Sequence, residues 1–265
     1  MKDLYSIQEF SKISGVDSTV LRYWDDIGVF SPIKRNPDNN YRYYSIAQLL
    51  ALNFVSTMSD LGIPLKTIAE LREDRDPEDI LHILEKRERE LDMELRLLRQ
   101  RSSIIHARQE LIRNGLKADE AAVSVVHMDE RALMLWPENA YGEEDSFIEP
   151  LAAFVSQSKK HHVNLSFPVG GYWESLEAFM QAPSCPERFF SFDPVGTYAL
   201  KDGEYLVGYT RGYYADMGDL PERLASYARK NTLSPSGPVY TFYLHEETCV
   251  IDPSQYLAQT CVALI

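Results

Sequence analysis

The sequence has little cysteine and no long apolar run, and both scarcities narrow the options. Its three cysteines, Cys185, Cys249 and Cys261, are odd in number and far apart. That suits reduced thiols better than a disulfide framework, and no CxxC pair or Cys/His cluster suggests a structural zinc. No apolar stretch approaches the roughly 18 residues that span a bilayer. Met1-Lys2-Asp3-Leu4-Tyr5 lacks the apolar segment of a signal peptide. The expectation is a cytoplasmic chain with no membrane partner. GxSxG, HExxH and Gly-rich phosphate loops are also missing. His161-His162 sits in a polar loop-like stretch, and neither His127 nor His245 has a partner nearby in sequence. The reading is therefore a non-enzyme, with no cofactor and no metal.

Charge is short on one side. The net charge is −13 over 265 residues. Over 1–50 the basic residues 2, 12, 22, 34, 35 and 42 balance the acidic residues 3, 9, 17, 25, 26 and 38. Over 120–265 nine basic residues face twenty acidic ones. The acidity belongs to the C-terminal half, where it repels DNA and attracts cations.

Residues 1–75 read as short helices broken by turns. Ser6 with Glu9 forms a capping box for Ile7 to Ile13, and Ser14-Gly15 ends that helix. Asp17 or Ser18 caps Thr19 to Asp26, which stops at Gly28. Helix, short Gly-containing turn, helix is the helix-turn-helix spacing. Val20, Leu21, Trp24 and Ile27 are expected to pack, leaving Ser18, Thr19, Arg22 and Tyr23 outward. Arg22 suits a phosphate or a guanine edge, and Tyr23 a phosphate. Pro37-Asp38-Asn39-Asn40 is turn chemistry between Ile33-Lys34-Arg35 and Tyr41-Arg42-Tyr43-Tyr44, which predicts a wing presenting Lys34, Arg35, Tyr41 and Arg42. Ser45 is expected to cap a helix from Ile46 to about Leu61. A last short helix runs from Leu65 to about Glu73.

A long helix is expected over 76–117, opening at Asp76-Pro77-Glu78 and spanning roughly 54 Å. Leu84, Leu91, Leu98, Ile105 and Ile112 repeat every seventh residue, with Leu95 in a mixed companion stripe. One helix cannot bury such a stripe alone, so a coiled-coil homodimer is expected. The rival reading folds the stripe onto its own chain. Residues 120–265 read as an α+β domain holding about 21 of the 30 aromatics. A strand–helix–strand–strand pattern occurs there twice. Most of the aromatics are core. The surplus of Tyr, whose polar tip is costly to bury unpaired, suggests a lined cavity. Aromatic faces and carboxylates together attract organic cations.

Two resemblances follow. Tyr5-Ser6-Ile7, Leu21 to Gly28, Tyr41-Arg42-Tyr43-Tyr44-Ser45 and Leu61 to Ile68 resemble the MerR family N-terminal domain, with Trp24 where many relatives have Tyr. The resemblance implies that Arg22, Tyr23, Arg42 and Lys66 contact DNA and that the long helix pairs antiparallel with its twin. It also implies that the dimer distorts an over-long promoter spacer so that RNA polymerase engages. Gly203 to Tyr209, Gly237 to Tyr243 and the Tyr256-led last strand resemble the GyrI-like effector domain of BmrR-type multidrug regulators.

The implied architecture is multidomain. An all-α winged helix-turn-helix (1–75) leads into an antiparallel coiled-coil helix (76–117) and an α+β GyrI-like domain (120–265). The expected partners are double-stranded promoter DNA, RNA polymerase through that promoter, a second copy of the chain and a small hydrophobic effector. Tyr141, Tyr172, Trp173, Glu174, Tyr209, Thr241, Tyr243 and Tyr256 are the candidate effector contacts. Where BmrR-type pockets carry a buried Glu, this chain has Thr241. A buried cation then loses its strongest partner. Either Glu174 or Glu177 substitutes, or the ligands are neutral or zwitterionic aromatics. Residues 113–125 lack the Cys of MerR-type metal sensors. Some GyrI-like domains hydrolyse and some stand-alone ones inhibit protein partners, which are the alternative functions.

Overall fold

The computed structural model describes residues 4–71, 76–141, 147–160 and 166–265. The chain divides into two compact units, residues 1–98 and 99–265.

The first unit begins with strand β1 (Tyr5–Ser6) and helix α1 (Ile7–Ser14). The capping box is present. The Glu9 N–H donates to Ser6 Oγ, and the Ser6 N–H donates to Glu9 Oε2 at 2.9 Å. Gly15 closes the helix at φ 76°, a left-handed conformation that costs a residue without Cβ little, and its N–H donates to the Ser11 carbonyl at 2.9 Å. Helix α2 (Ser18–Asp26) is capped by Asp17, which accepts the Thr19 N–H at 2.7 Å. Strands β2 (Lys34–Arg35) and β3 (Arg42–Tyr44) form the expected hairpin. β1 adds to β3 on its other side, with Tyr5 opposite Tyr44, giving the order β1-β3-β2. The hairpin was expected and β1 was not: a two-residue strand carries no periodicity to read.

Helix α3 spans Gln48–Asp60, and Ser45 does not cap it. The Ser45 N–H instead donates to Gln48 Oε1, in a turn that precedes the helix. Helix α4 stops at Glu70 (Leu65–Glu70), short of the expected Glu73. Phe10, Leu21, Trp24, Phe30, Tyr44, Leu52 and Ile68 form the core. Phe10 and Tyr44 stack with ring centroids 4.7 Å apart. Val20 and Ile27 are exposed, not packed. Leu21 and Trp24 centre the buried face of α2, and Val20 and Ile27 lie at its edge, where solvent reaches them.

Helix α5 (Pro77–Gly115) contributes to both units. In the first, Ile80, Ile83 and Leu84 pack on the core, and Arg87 donates to the Leu61 carbonyl at 2.9 Å.

The second unit is built on an eight-stranded antiparallel sheet. Its strands are β4 (Val123–Met128), β5 (Arg131–Glu138), β6 (Val169–Trp173), β7 (Arg188–Ser191), β8 (Tyr198–Leu200), β9 (Gly203–Arg211), β10 (Pro235–His245) and β11 (Leu257–Leu264). The order is β4-β9-β11-β10-β6-β7-β5-β8. Helices α6 (Ile148–Lys160), α7 (Leu176–Gln181) and α8 (Leu220–Lys230) cover one face. The other face packs Leu111, from the end of α5, onto Phe190, Phe192, Val207, Tyr240, Phe242 and Cys261.

The strand–helix–strand–strand pattern is real in three dimensions. β5-α6-β6-β7 and β9-α8-β10-β11 meet at their second strands, so the order β9-β11-β10-β6-β7-β5 reads the same from either end. The flanking strands are exchanged: β4 precedes β5 but pairs β9, and β8 precedes β9 but pairs β5. α7 interrupts only the first copy.

Candidate nucleic-acid interface and effector cavity

On α2, Arg22 and Thr19 are exposed, Tyr23 is 54% exposed and Ser18 is half-buried. Lys34 is exposed on β2, Tyr41 beside β3 and Lys66 in the first turn of α4. Among the described residues, the charged ends of Arg22, Lys34 and Lys66 have no ion pair or hydrogen bond. The hairpin's two arginines are engaged differently. Asp25, whose side chain is 2% exposed, accepts from Arg35 Nη2 at 2.6 Å and from Arg42 Nε at 2.5 Å. Arg42 also reaches Asp26 at 2.8 Å. The Asp25 carboxylate holds the Arg42 guanidinium above its usual basicity. Arg35 and Arg42 therefore tie the hairpin to α2, fixing where Lys34 and Tyr41 stand relative to Arg22.

The heptad stripe on α5 divides into three. Leu84 is partly buried against the first core. Ile112 is half-buried in the second unit, where its carbonyl meets His245 Nε2 at 3.2 Å. Between them Leu91, Leu95, Leu98 and Ile105 stand 38 to 56% exposed, with Met93 and Leu97 exposed beside them.

In the second unit a cavity of about 250 Å³ opens on the helix-covered face of the sheet, where the two repeats meet. Its floor includes Gly171 and Trp173 of β6 and Thr241 and Tyr243 of β10. Leu151, Phe154 and Val155 of α6 wall one side. A Cβ on Gly171 would lie 2.9 Å from Pro186 and 3.0 Å from the Trp173 ring, so this glycine keeps the floor open. The Thr241 and Thr260 hydroxyls hydrogen-bond at 2.8 Å, both buried. Tyr243 accepts the Ala215 N–H at 2.9 Å and donates to the Tyr213 carbonyl at 3.3 Å. Tyr214 packs edge-on between Tyr243 and Tyr256, with centroids 4.7 and 5.4 Å away. Burial pushes the Tyr214 and Tyr243 phenols well above their usual range. At the rim Tyr214 donates to Glu247, and Arg108 of α5 pairs with Glu246.

Of the expected effector contacts, Trp173, Thr241 and Tyr243 line this cavity. Tyr256 forms a second layer behind Tyr214. Tyr172 and Tyr209 lie on the opposite sheet face, where Tyr172 packs edge-on to Tyr240. Glu174 and Tyr141 border a separate depression, where the Tyr141 hydroxyl donates to the Pro186 carbonyl. Glu177 is exposed on α7. The carboxylates at the cavity are instead Glu246 and Glu247, directly after β10. His161 and His162 lie outside the described residues. His127, without a neighbour in sequence, meets Glu204 and Asp202 at 3.3 and 3.4 Å across the sheet end.

Residues 5–74 match the MerR HTH family of regulatory proteins. The N-terminal domain is a MerR-type helix-turn-helix domain. The likeness to known proteins extends past it. The multidrug-efflux transporter 2 regulator of Bacillus subtilis (strain 168) is 25% identical over 257 residues, covering 94% of this chain and 92% of its own. The multidrug-efflux transporter 1 regulator of the same organism is 27% identical over 171 residues, 58% of this chain and 59% of its own. The cryo-EM structure of an EcmrR–DNA complex in EcmrR-RPo is 18% identical, with a TM-score of 0.45, covering 98% of this chain and 99% of that one. No helix among the described residues is long and apolar enough to cross a membrane.

Within the MerR-type domain, the Asp25 clamp is the feature that sequence reasoning missed. Its signal was the Asp25-Asp26 pair beside two arginines in the following hairpin. In the second unit, the missed feature is the Glu246-Glu247 rim.

Proposed function

We propose that the chain is a dimeric, ligand-responsive transcription regulator that binds and distorts a pseudo-palindromic promoter. The observation that carries this is the MerR-type domain's outward face. Among the described residues the charged ends of Arg22, Lys34 and Lys66 make no hydrogen bond or ion pair, and Asp25 ties together the elements that carry the first two, α2 and the hairpin. Guanidinium and ammonium groups so placed suit phosphate contacts and base edges in a major groove.

The reader spans 1–75, the dimerising helix 76–117 and the effector domain 120–265. The exposed run Leu91, Leu95, Leu98 and Ile105 supplies an antiparallel coiled-coil seam with a second copy. The second unit is read as a GyrI-like effector domain, and its aromatic cavity as the seat of a hydrophobic effector, cationic or neutral. This agrees with the relation over 94% of the chain to a regulator of multidrug efflux.

The chain acts by binding in the cytoplasm, not by turnover. RNA polymerase engages through the promoter that the dimer reshapes. Smoothly bending a duplex site of roughly 20–30 base pairs costs on the order of 1–6 kcal/mol. The effector must therefore bind the DNA-distorting conformation more tightly than the resting one by a comparable margin.

Fluorescence anisotropy with DNA from upstream of the chain's own gene tests the reading. The expectation is salt-dependent, sequence-specific binding by a dimer, with transcription from that promoter raised by an aromatic ligand. Equal affinity for scrambled DNA would overturn it.

A further inference from the structure

A second cavity, of about 500 Å³, lies on the sheet face opposite the effector cavity, beside the end of α5. Tyr209, Gln259 and Phe242 stand side by side on β9, β11 and β10, in register across three adjacent strands. Phe192 packs edge-on to Phe242 at 5.0 Å. The Arg131 guanidinium lies 4.1 Å from the Phe192 ring centroid.

Two polar groups in this wall are under-used. Arg131 has a side chain 25% exposed, and its one carboxylate partner among the described residues is Glu110, at 3.3 Å and 57% exposed. A guanidinium carries five N–H donors, so one long contact to a solvated carboxylate leaves most of the fork unspent. Burial against Phe192 holds this guanidinium below its usual basicity, a sign of desolvation that Glu110 does not offset. Gln259 is 8% exposed, yet its amide makes no hydrogen bond among the described residues. Its amide lines the cavity, where solvent reaches it, so a ligand's polar group would exchange with water there.

We propose that this cavity is a second small-molecule site that takes a monocarboxylate with an apolar body. The carboxylate replaces Glu110 on the Arg131 fork in a bidentate pair, the stronger geometry. The body packs on Phe242, Val207 and Leu200. The Gln259 amide and the Tyr209 hydroxyl remain for a polar substituent. The lining selects against more highly charged anions: Glu110, Asp129 and Glu130 outnumber the cations Lys117 and Arg131, so a nucleotide or inorganic phosphate meets net repulsion there. The inference does not depend on promoter binding, because it concerns the opposite sheet face and a different ligand.

The test is calorimetry and thermal shift on the full chain with benzoate, 4-hydroxybenzoate and hexanoate. Their primary amides and inorganic phosphate serve as the other arms. Acids are expected to bind and raise the melting temperature, while amides and phosphate do not. Arg131→Gln should weaken the acids by about tenfold or more, the worth of one charge-assisted hydrogen bond. Glu110→Gln removes the competitor and should tighten them by about threefold, a gain that misfolding cannot mimic. Should Arg131→Gln fail to fold, the Glu110→Gln arm decides alone. Equal binding of acids and amides overturns the proposal, as does acid binding indifferent to both substitutions or no acid binding to Glu110→Gln. If promoter binding fails while the acids behave as described, the regulator reading falls and this one stands.

Discussion

Replacing Asp25 probes the group that ties the hairpin to α2 on the proposed DNA-facing surface. Its carboxylate is 2% exposed and accepts from two arginines, Arg35 with 40% and Arg42 with 18% of the side chain exposed. Removing one partner of a fully buried ion pair costs about 3–5 kcal/mol. Here the stranded cations retain solvent, and Arg42 keeps Asp26, itself 64% exposed. Arg35 then contributes no more than a surface pair, up to about 1 kcal/mol. The sum for Asp25→Asn is about 2 kcal/mol, because the amide oxygen still accepts a hydrogen bond but the charge is gone. Asp25→Ala also leaves a gap beside α2 and should cost about 3 kcal/mol. In a domain of this size, 2 kcal/mol lowers the midpoint by about 8–16 °C.

Hydrogen-exchange mass spectrometry on the full chain separates this from the second unit. Peptides within 5–71 should lose protection, and peptides within 169–264 should not. DNA binding carries a second signature. With the hairpin loosened, specific affinity falls. The freed Arg35 can meet a phosphate, so the salt dependence steepens by up to about 0.9 in log–log slope. A change in unfolding free energy below about 0.5 kcal/mol, within the range of ordinary surface substitutions, would refute the claim that Asp25 locks hairpin to helix.

Three further outcomes follow from the same structure. Arg22→Ala should lower operator affinity by about 1–3 kcal/mol and relax specificity at one position, whereas Lys34→Ala should mainly reduce the salt slope by about one, both read by anisotropy titrations across salt. Leu95→Glu with Leu98→Glu places two charges in the exposed α5 stripe and should yield a monomer in sedimentation velocity; a persistent dimer would move the interface elsewhere. Tyr44 tests the first core through pH. Its hydroxyl finds no partner among the described residues, and burial foremost pushes the phenol up to about 12. The unfolded chain releases that proton near pH 10, so between about 10 and 12 the unfolded state binds fewer protons and stability falls as pH rises. Tyr44→Phe should abolish that loss and cost little near neutral pH, in denaturant titrations at a series of pH values.

Helices α1 and α2 were legible because their ends carry their own chemistry: Ser6 with Glu9, Gly15, Asp17 and Gly28 mark boundaries that local hydrogen bonds enforce. β1 was not legible, because Tyr5 and Ser6 become a strand only by pairing with Tyr44 and Tyr43, some forty residues on. Ser45 misled because the helix starts two residues later than its local pattern suggests, with Ala47 at the cap position and Ser45 in the preceding turn. In the second unit the aromatics announced a cavity without locating it. Tyr172 and Trp173 are neighbours on β6 and so point to opposite faces, as do Tyr240 and Thr241 on β10. Parity allowed only one of each pair into the effector cavity. Which one depended on where α6 and α8 pack, and no local pattern states that.

The cavity's place in the fold bears on how a ligand would be felt at a distance. The two repeats meet at β6 and β10, so the floor of the cavity is the join between two similar halves, with α6 and α8 on the same face. The end of α5 is fastened to this half of the chain at the same place. Arg108 reaches the cavity rim, where it pairs with Glu246 and donates to the Ser166 carbonyl at 3.1 Å. One turn on, the Ile112 carbonyl meets His245, and Gly115 packs so closely on that ring that a Cβ would lie 2.5 Å from Nε2. His245, Glu246 and Glu247 are therefore a single short segment with α5 on one side and the effector cavity on the other. A ligand whose head pairs with Glu246 competes with Arg108, and a ligand that leaves Glu246 alone does not. Tight binding deep in the cavity shifts no equilibrium by itself, since only a difference in affinity between two states does so. On the proposed reading, the Arg108–Glu246 pair is placed to register that difference, because it is shared between the cavity and the helix.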